Sequence, residues 1–110
     1  VEKQVTTFNP QFGKSIITWE SRVGIQTTEG GHQSPATRLE HEFYHAIDNT
    51  NSPSERRAKS AEDGTPYESK GEKEAIEAEN DTAEKNGEDI RKNHYGTTYE
   101  TISPISTNRK

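Results

Sequence analysis

The run SPATRLEHEFYHAID, residues 34–48, decides how the rest of the chain is interpreted. Ser34 is a preferred N-cap residue, and Pro35 is favoured at the first position of a helix. The pair therefore predicts a helix from Pro35 to about Asp48, with Asn49 near its C-terminus.

Two histidines, His41 and His45, stand four residues apart within this predicted helix. Side chains at this spacing lie on the same side of a helix, so both imidazoles can bind one metal ion. Glu42, next to the first histidine, is a candidate general base for a water molecule that the metal activates. The alternative is a pair of structural histidines, in the core or on the surface, with no metal to bind.

The apolar residues of the predicted helix gather on one side when each residue is assigned a rotation of about 100°. They are Ala36, Leu39, Phe43, Ala46 and Ile47. His41 and His45 project from roughly the opposite side. Histidines that served only the core would be expected on the apolar side, so the pattern favours a metal site.

A second helix is predicted over about residues 71–86, and Gly87 stands in the usual position after its C-terminus. The only apolar side of this very polar helix also carries two carboxylates. Its members are Glu72, Ala75, Ile76, Glu79 and Ala83.

Buried carboxylates are costly unless they are paired or bind a metal. Glu72 has an alternative, because an acidic residue near a helix N-terminus is favoured there in contact with water. Glu79, in the middle of the helix, needs a partner more, and Arg38, Arg91 or a histidine would serve.

Two stretches rich in β-branched and aromatic residues precede the first helix, at 15–19 and 23–28. The polar residues 20–22 between them predict a β-hairpin. Trp19, at the end of the first stretch, is expected to anchor the core.

Two further segments carry no regular pattern. Residues 49–70 contain two prolines and several serines and predict a long mobile loop, and residues 104–110 form a polar tail. The chain is therefore expected to be a single α+β domain over residues 1–110. A short sheet or hairpin is followed by a metal-binding helix and a second helix that supplies a further ligand.

The composition of the chain excludes several classes of function. Hydrophobic residues make up 25% of the 110-residue chain, and Leu39 is its only leucine. The net charge of −5 leaves no basic excess to neutralise a nucleic-acid backbone, and no apolar run approaches the roughly 18 residues of a membrane span. The absence of cysteine excludes disulfides, thiolate metal sites and a cysteine nucleophile. So thin a core indicates either partial disorder or a bound metal that organises the fold.

Two segments carry a resemblance to a known family. They are the run at 34–48 and the run EKEAIEAEN at 72–80, which is followed by Asn86-Gly87, Arg91 and Tyr95. Over roughly residues 15–96 the chain resembles zincin-like metallopeptidase domains of bacterial toxins and effectors. Such domains occur at the C-termini of Rhs-type polymorphic toxins and among NleD-like secreted effector proteases.

The resemblance implies a minimal zincin-like fold with Zn²⁺ as its cofactor and with His41, His45 and Glu72 as metal ligands. It makes Glu42 the general base and acid, and it leaves Glu79 as a residue that supports a ligand or substitutes for one. The chain departs from the family at two positions. A bulky tyrosine, Tyr44, stands where the family usually has a small residue, and an asparagine, Asn51, stands where the third histidine of other zincins would fall.

The function implied is that of a zinc-dependent endopeptidase that hydrolyses peptide bonds of a target-cell protein. Its partners would be a protein or peptide substrate and a cognate immunity protein. The resemblance implies a domain that is secreted or delivered by a dedicated secretion system. No signal peptide is visible in this segment, so an export signal would lie elsewhere or a dedicated machine would be used. The rivals are a non-catalytic zinc-stabilised interaction module and a largely disordered acidic segment.

Three weaker candidates come from the residues themselves. Tyr95 and His94 follow the second helix and are candidates to donate a hydrogen bond to a developing oxyanion, and of the two we predict that Tyr95 is catalytic. The alternative for Tyr95 is packing on the surface. Asp48, three residues beyond His45, is either a residue that orients a ligand or an ordinary helix-end residue.

Overall fold

The computed structural model describes residues 5–9 and 14–110 and has the mixed α+β architecture that the sequence predicts. The elements, in chain order, are β1 (Val5–Asn9), β2 (Lys14–Thr18), β3 (Val23–Gln26), β4 (His32–Gln33), α1 (Pro35–Asn51), α2 (Pro53–Lys59), α3 (Lys70–Lys85) and β5 (Thr97–Glu100). Strands therefore precede the helices, and one strand follows them.

The described strands form two separate antiparallel sheets. β1 pairs with β2, and the order in the other sheet is β4-β3-β5, with Val23 opposite Glu100 and Gln26 opposite Thr97. The predicted hairpin between residues 15–19 and 23–28 is therefore wrong. A turn does join them, but β3 takes its partners from β4 and from the distant β5, which short-range patterns do not show.

Helix α1 begins where the sequence predicts and is a little longer. The Ser34 hydroxyl accepts a hydrogen bond from the Thr37 backbone N–H at 3.3 Å, which caps the helix. Helix α3 is also close to its prediction: Gly87 follows it with φ 71°, and the Glu88 N–H bonds the Ala83 carbonyl at 2.8 Å. A glycine suits this position because left-handed backbone is strained for other residues.

The predicted loop at 49–70 is wrong over its first half. The last residues of α1 and the whole of α2 occupy residues 49–59. Ser52-Pro53 starts α2, just as Ser34-Pro35 starts α1. The polar composition of the segment led to the loop prediction despite this pair. Residues 60–69 hold turns and an isolated bridge between Glu62 and Ser69.

The apolar core of the described residues is small. It consists of Val23, Ile25, Ala75, Ile76, Ala83 and Tyr99. The expectation that Trp19 anchors this core is wrong: its side chain is 37% exposed, and its indole N–H bonds the Pro35 carbonyl at 3.1 Å, at the start of α1.

Helix α1 packs on α3 through its polar side. Its buried residues are Pro35, Thr37, His41, Glu42, His45 and Asn49. On the apolar side, Phe43 and Ile47 are 44% and 62% exposed. The two histidines do point away from the apolar stripe, as predicted, but they point into the interior of the molecule.

The polar tail folds back on the larger sheet. The Lys110 N–H bonds the Glu100 carbonyl at 3.1 Å, and the Tyr99 hydroxyl donates to the Thr107 carbonyl at 2.6 Å. The Arg109 guanidinium lies over the Tyr99 ring, 4.6 Å from its centroid. Within the described ranges, no helix has the length and apolar character that crossing a membrane requires.

Candidate metal centre

Helix α1 presents both histidines of its motif to the interface with α3. His41 and His45 are each 7% exposed, and their Nε2 atoms lie 3.2 Å apart. The separation follows from helix geometry, because residues four apart lie one above the other along the same side. Two imidazole nitrogens therefore converge on one point.

The third group at this point is a carboxylate from the first turn of α3. Glu72 Oε1 lies 3.5 Å from His41 Nε2 and contacts His45 Nε2. The Ser69 hydroxyl caps α3 by accepting from the Glu72 N–H at 3.2 Å, so the cap and the carboxylate belong to the same turn. The donor atoms of His41, His45 and Glu72 all lie within 4.8 Å of one another, close enough to hold a metal ion.

The other nitrogen of His41 is committed to the second carboxylate of α3. Glu79, which is fully buried, accepts a hydrogen bond from His41 Nδ1 at 2.9 Å. Arg91 Nη1 contacts both oxygens of Glu79, at 3.1 and 3.3 Å. Both partners anticipated for Glu79, an arginine and a histidine, are therefore present.

This arrangement assigns different positions to the two acidic residues that the sequence left open. Glu72 faces the Nε2 side of His41, together with His45, and Glu79 faces its Nδ1 side. A histidine whose Nδ1–H bonds a carboxylate presents an unprotonated Nε2 to a metal, which is the usual arrangement around metal-binding histidines. The donor set fits a metal ion with Glu72 as ligand and Glu79 supporting His41.

The segment after α3 brings one further histidine to the centre. His94 Nε2 contacts Glu72 Oε2, and its ring stacks on that of His41 at a centroid distance of 5.4 Å and an interplanar angle of 14°. Its Nδ1 lies 2.9 Å from Glu68 Oε1. The sequence pointed to His94 only as a candidate hydrogen-bond donor, because its contact with Glu72 depends on the path of residues 87–93.

The electrostatics of the centre favour positive charge. Burial lowers the pKa of His41, but the hydrogen bonds to Glu72 and Glu79 outweigh burial and raise the pKa to about 9. Burial raises the pKa of Glu72, but its bonds to His41, His45 and His94 bring it well below the usual range. Two carboxylates thus stabilise a cation between the helices, which is what a bound metal supplies.

Glu42, the predicted general base, is 6% exposed and lies beside His41 on α1. Its carboxylate does not belong to the group of donor atoms that could hold the metal within the described chain. Its role as the general base stays a prediction.

The remaining candidates lie outside this cluster. Tyr95 is 50% exposed and contacts Asn93 through its backbone N–H, so its catalytic role stays a prediction that no described contact supports. The Asp48 carboxylate contacts Lys59 Nζ at 3.0 Å, which favours the helix-end interpretation.

Tyr44 and its neighbours form a second polar group. The Tyr44 hydroxyl donates to Glu74 Oε1 at 2.7 Å, and Lys59 Nζ contacts the same oxygen at 2.8 Å. Burial, followed by the bond to Glu74, raises the pKa of Tyr44 to about 12. The hydroxyl of this bulky residue is therefore used to join α1 to α3.

Comparison of the chain with protein-family models, with curated proteins and with solved structures gave no match. The interpretation of the centre therefore depends on its own geometry and chemistry.

Proposed function

We propose that the protein is a zinc-dependent endopeptidase. The observation that carries this proposal is the convergence of His41, His45 and Glu72, with the buried Glu42 beside the first ligand. Two imidazoles and one carboxylate are the protein ligands of many catalytic zinc sites, which keep a fourth position for water or substrate.

The metal ligands, Glu42 and Glu79 each have a role in the proposed reaction. His41, His45 and Glu72 would hold Zn²⁺, which when bound would polarise the scissile carbonyl and make a water molecule more acidic. Glu42 takes the proton from the attacking water and passes it to the nitrogen of the leaving amine. Glu79, held by Arg91, orients His41 through its Nδ1–H.

The biological setting of the proposal comes from the resemblance to toxin and effector metallopeptidases. We propose a protein of a target cell as the substrate and delivery through a dedicated secretion system. A cognate immunity protein that covers the centre would protect the producing cell.

The test compares zinc content and peptide cleavage in the wild-type protein and in Glu42→Gln. The variant is expected to bind zinc fully and to lose cleavage by about 10²–10⁴-fold, toward the upper end because one residue handles both proton steps. A generic unfolded protein is a suitable first substrate. Glu40→Gln on the same helix is the matched control, since Glu40 is outside the metal group, and it should cleave like the wild type.

A second candidate, a zinc-stabilised interaction module, is favoured by the position of the centre. The side chains that could bind the metal lie between α1 and α3, where a larger domain would place more apolar residues. Full zinc binding together with no cleavage by the wild-type protein would support the module. Turnover that is unchanged in Glu42→Gln would exclude the proposed mechanism.

A further inference from the structure

The two oxygens of the Glu72 carboxylate have different partners. Oε1 faces the Nε2 atoms of His41 and His45, which form the metal group. Oε2 faces His94 Nε2. A carboxylate oxygen accepts, so the His94 ring donates to the oxygen that points away from the other two histidines.

His94 is held in this position from several directions. Its backbone N–H bonds the Pro66 carbonyl at 3.0 Å, and its Nδ1 lies 2.9 Å from Glu68 Oε1. Its ring also stacks on His41. The side chain is about one quarter exposed, so it lies at the edge of the centre, with one side toward water.

The chain leading to His94 is anchored on α3. The Asn80 side chain accepts from the Arg91 N–H at 2.9 Å and donates to the Arg91 carbonyl at 2.7 Å. Arg91 Nε in turn donates to the Asn93 carbonyl at 3.1 Å. These bonds hold residues 91–94 against α3. The segment contacts Glu79 through Arg91 and Glu72 through His94.

We propose that His94 is a positioning residue that restricts Glu72 to one metal-binding oxygen, Oε1, by occupying Oε2. This inference rests on the proposed function, because it concerns the same metal. With one oxygen from Glu72, the protein supplies three donor atoms, and a tetrahedral zinc site keeps one position for water or substrate. With Oε2 released, Glu72 could bind through both oxygens, and the metal, if it kept its water, would then have five donor atoms.

The experiment uses Co²⁺ as a spectroscopic substitute for Zn²⁺ in the wild-type protein, His94→Ala and His94→Gln. Four-coordinate Co²⁺ absorbs visible light more strongly than five-coordinate Co²⁺. His94→Ala is expected to weaken the Co²⁺ absorption and to lower zinc affinity by about 10–100-fold. His94→Gln is expected to restore the wild-type spectrum, because the glutamine amide can donate to Oε2.

His32→Gln is the matched control. His32 lies on β4, where its ring meets Tyr99, and it belongs to no metal group among the described residues. It should bind both metals like the wild type. If His94→Ala keeps the wild-type spectrum and affinity while the wild type binds the metals and cleaves peptide, the role of His94 is wrong and the proposed function stands. If the wild type binds neither metal, the inference and the proposed function fail together.

Discussion

Among single residues, His41 has the most varied contacts in the centre. Its Nε2 faces His45 and Glu72, its Nδ1 bonds Glu79, and its ring stacks on His94. Such a side chain has little rotational freedom. A preorganised ligand loses less conformational entropy when a metal binds than a free one does.

The structure separates the effects of the two carboxylates on α3. Glu72→Ala removes a donor atom, so it should lower zinc affinity more than Glu79→Ala, which is expected to cost about 10–100-fold. Competition with a chromophoric chelator measures both affinities. Circular dichroism should accompany each measurement, because Glu79→Ala also leaves Arg91 buried without its partner.

Glu77→Ala, at an exposed position on the same helix, provides the reference and should bind zinc like the wild type. Equal losses in the two variants, or a larger loss in Glu79→Ala, would move the ligand assignment to Glu79.

At the scale of the helices, the same Ser-Pro pair begins two helices but caps only one of them. Ser34-Pro35 begins α1 and Ser52-Pro53 begins α2, but only Ser34 caps its helix through the side chain. Ser52 instead donates its backbone N–H to the Asp48 carbonyl at 2.9 Å, because α2 follows α1 directly. One residue therefore ends the first helix and precedes the second.

The two serines should respond differently to the same substitution. Ser34→Ala removes a side-chain cap and is expected to lower the free energy of unfolding by about 1 kcal/mol. Ser52→Ala removes no cap hydrogen bond and should leave stability nearly unchanged. Urea denaturation measures both. A loss in Ser52→Ala as large as that in Ser34→Ala would show that the cap is not the cause.

At the scale of the whole molecule, the main helix interface contains buried ionisable groups. Six apolar residues form the buried core of the described chain, and the α1–α3 interface buries His41, His45 and Glu79. Buried ionic groups contribute little net stability by themselves, since removing them from water costs about as much as their attraction returns. A cation bound at this interface would therefore add a large share of the stability.

Metal removal should consequently lower the melting temperature. At a free zinc concentration 100 times the Kd, binding adds about 2.7 kcal/mol, which corresponds to roughly 10–20 °C in a domain of this size. Thermal unfolding with zinc and with excess chelator measures the difference. His41→Ala is the control and should unfold at the same temperature in both buffers. A wild-type protein that also shows no difference would contradict the metal centre.

Patterns among neighbouring residues determined the α+β class, the start of α1 and the end of α3. They also placed His41 and His45 on the same side of one helix. These features depend on residues a few positions apart, whose relative positions follow from helix geometry and capping. The inward direction of Glu72 and Glu79 could be predicted for the same reason.

The tertiary structure alone decided which partner each of these groups has. β3 pairs with a strand more than 70 residues away, and the polar side of α1 became the buried one because α3 covers it. The same packing places Glu72 beside both histidines, Glu79 behind His41, and His94 on the second oxygen of Glu72. Contacts between distant segments depend on how whole elements pack, and residue spacing within one element does not contain that information.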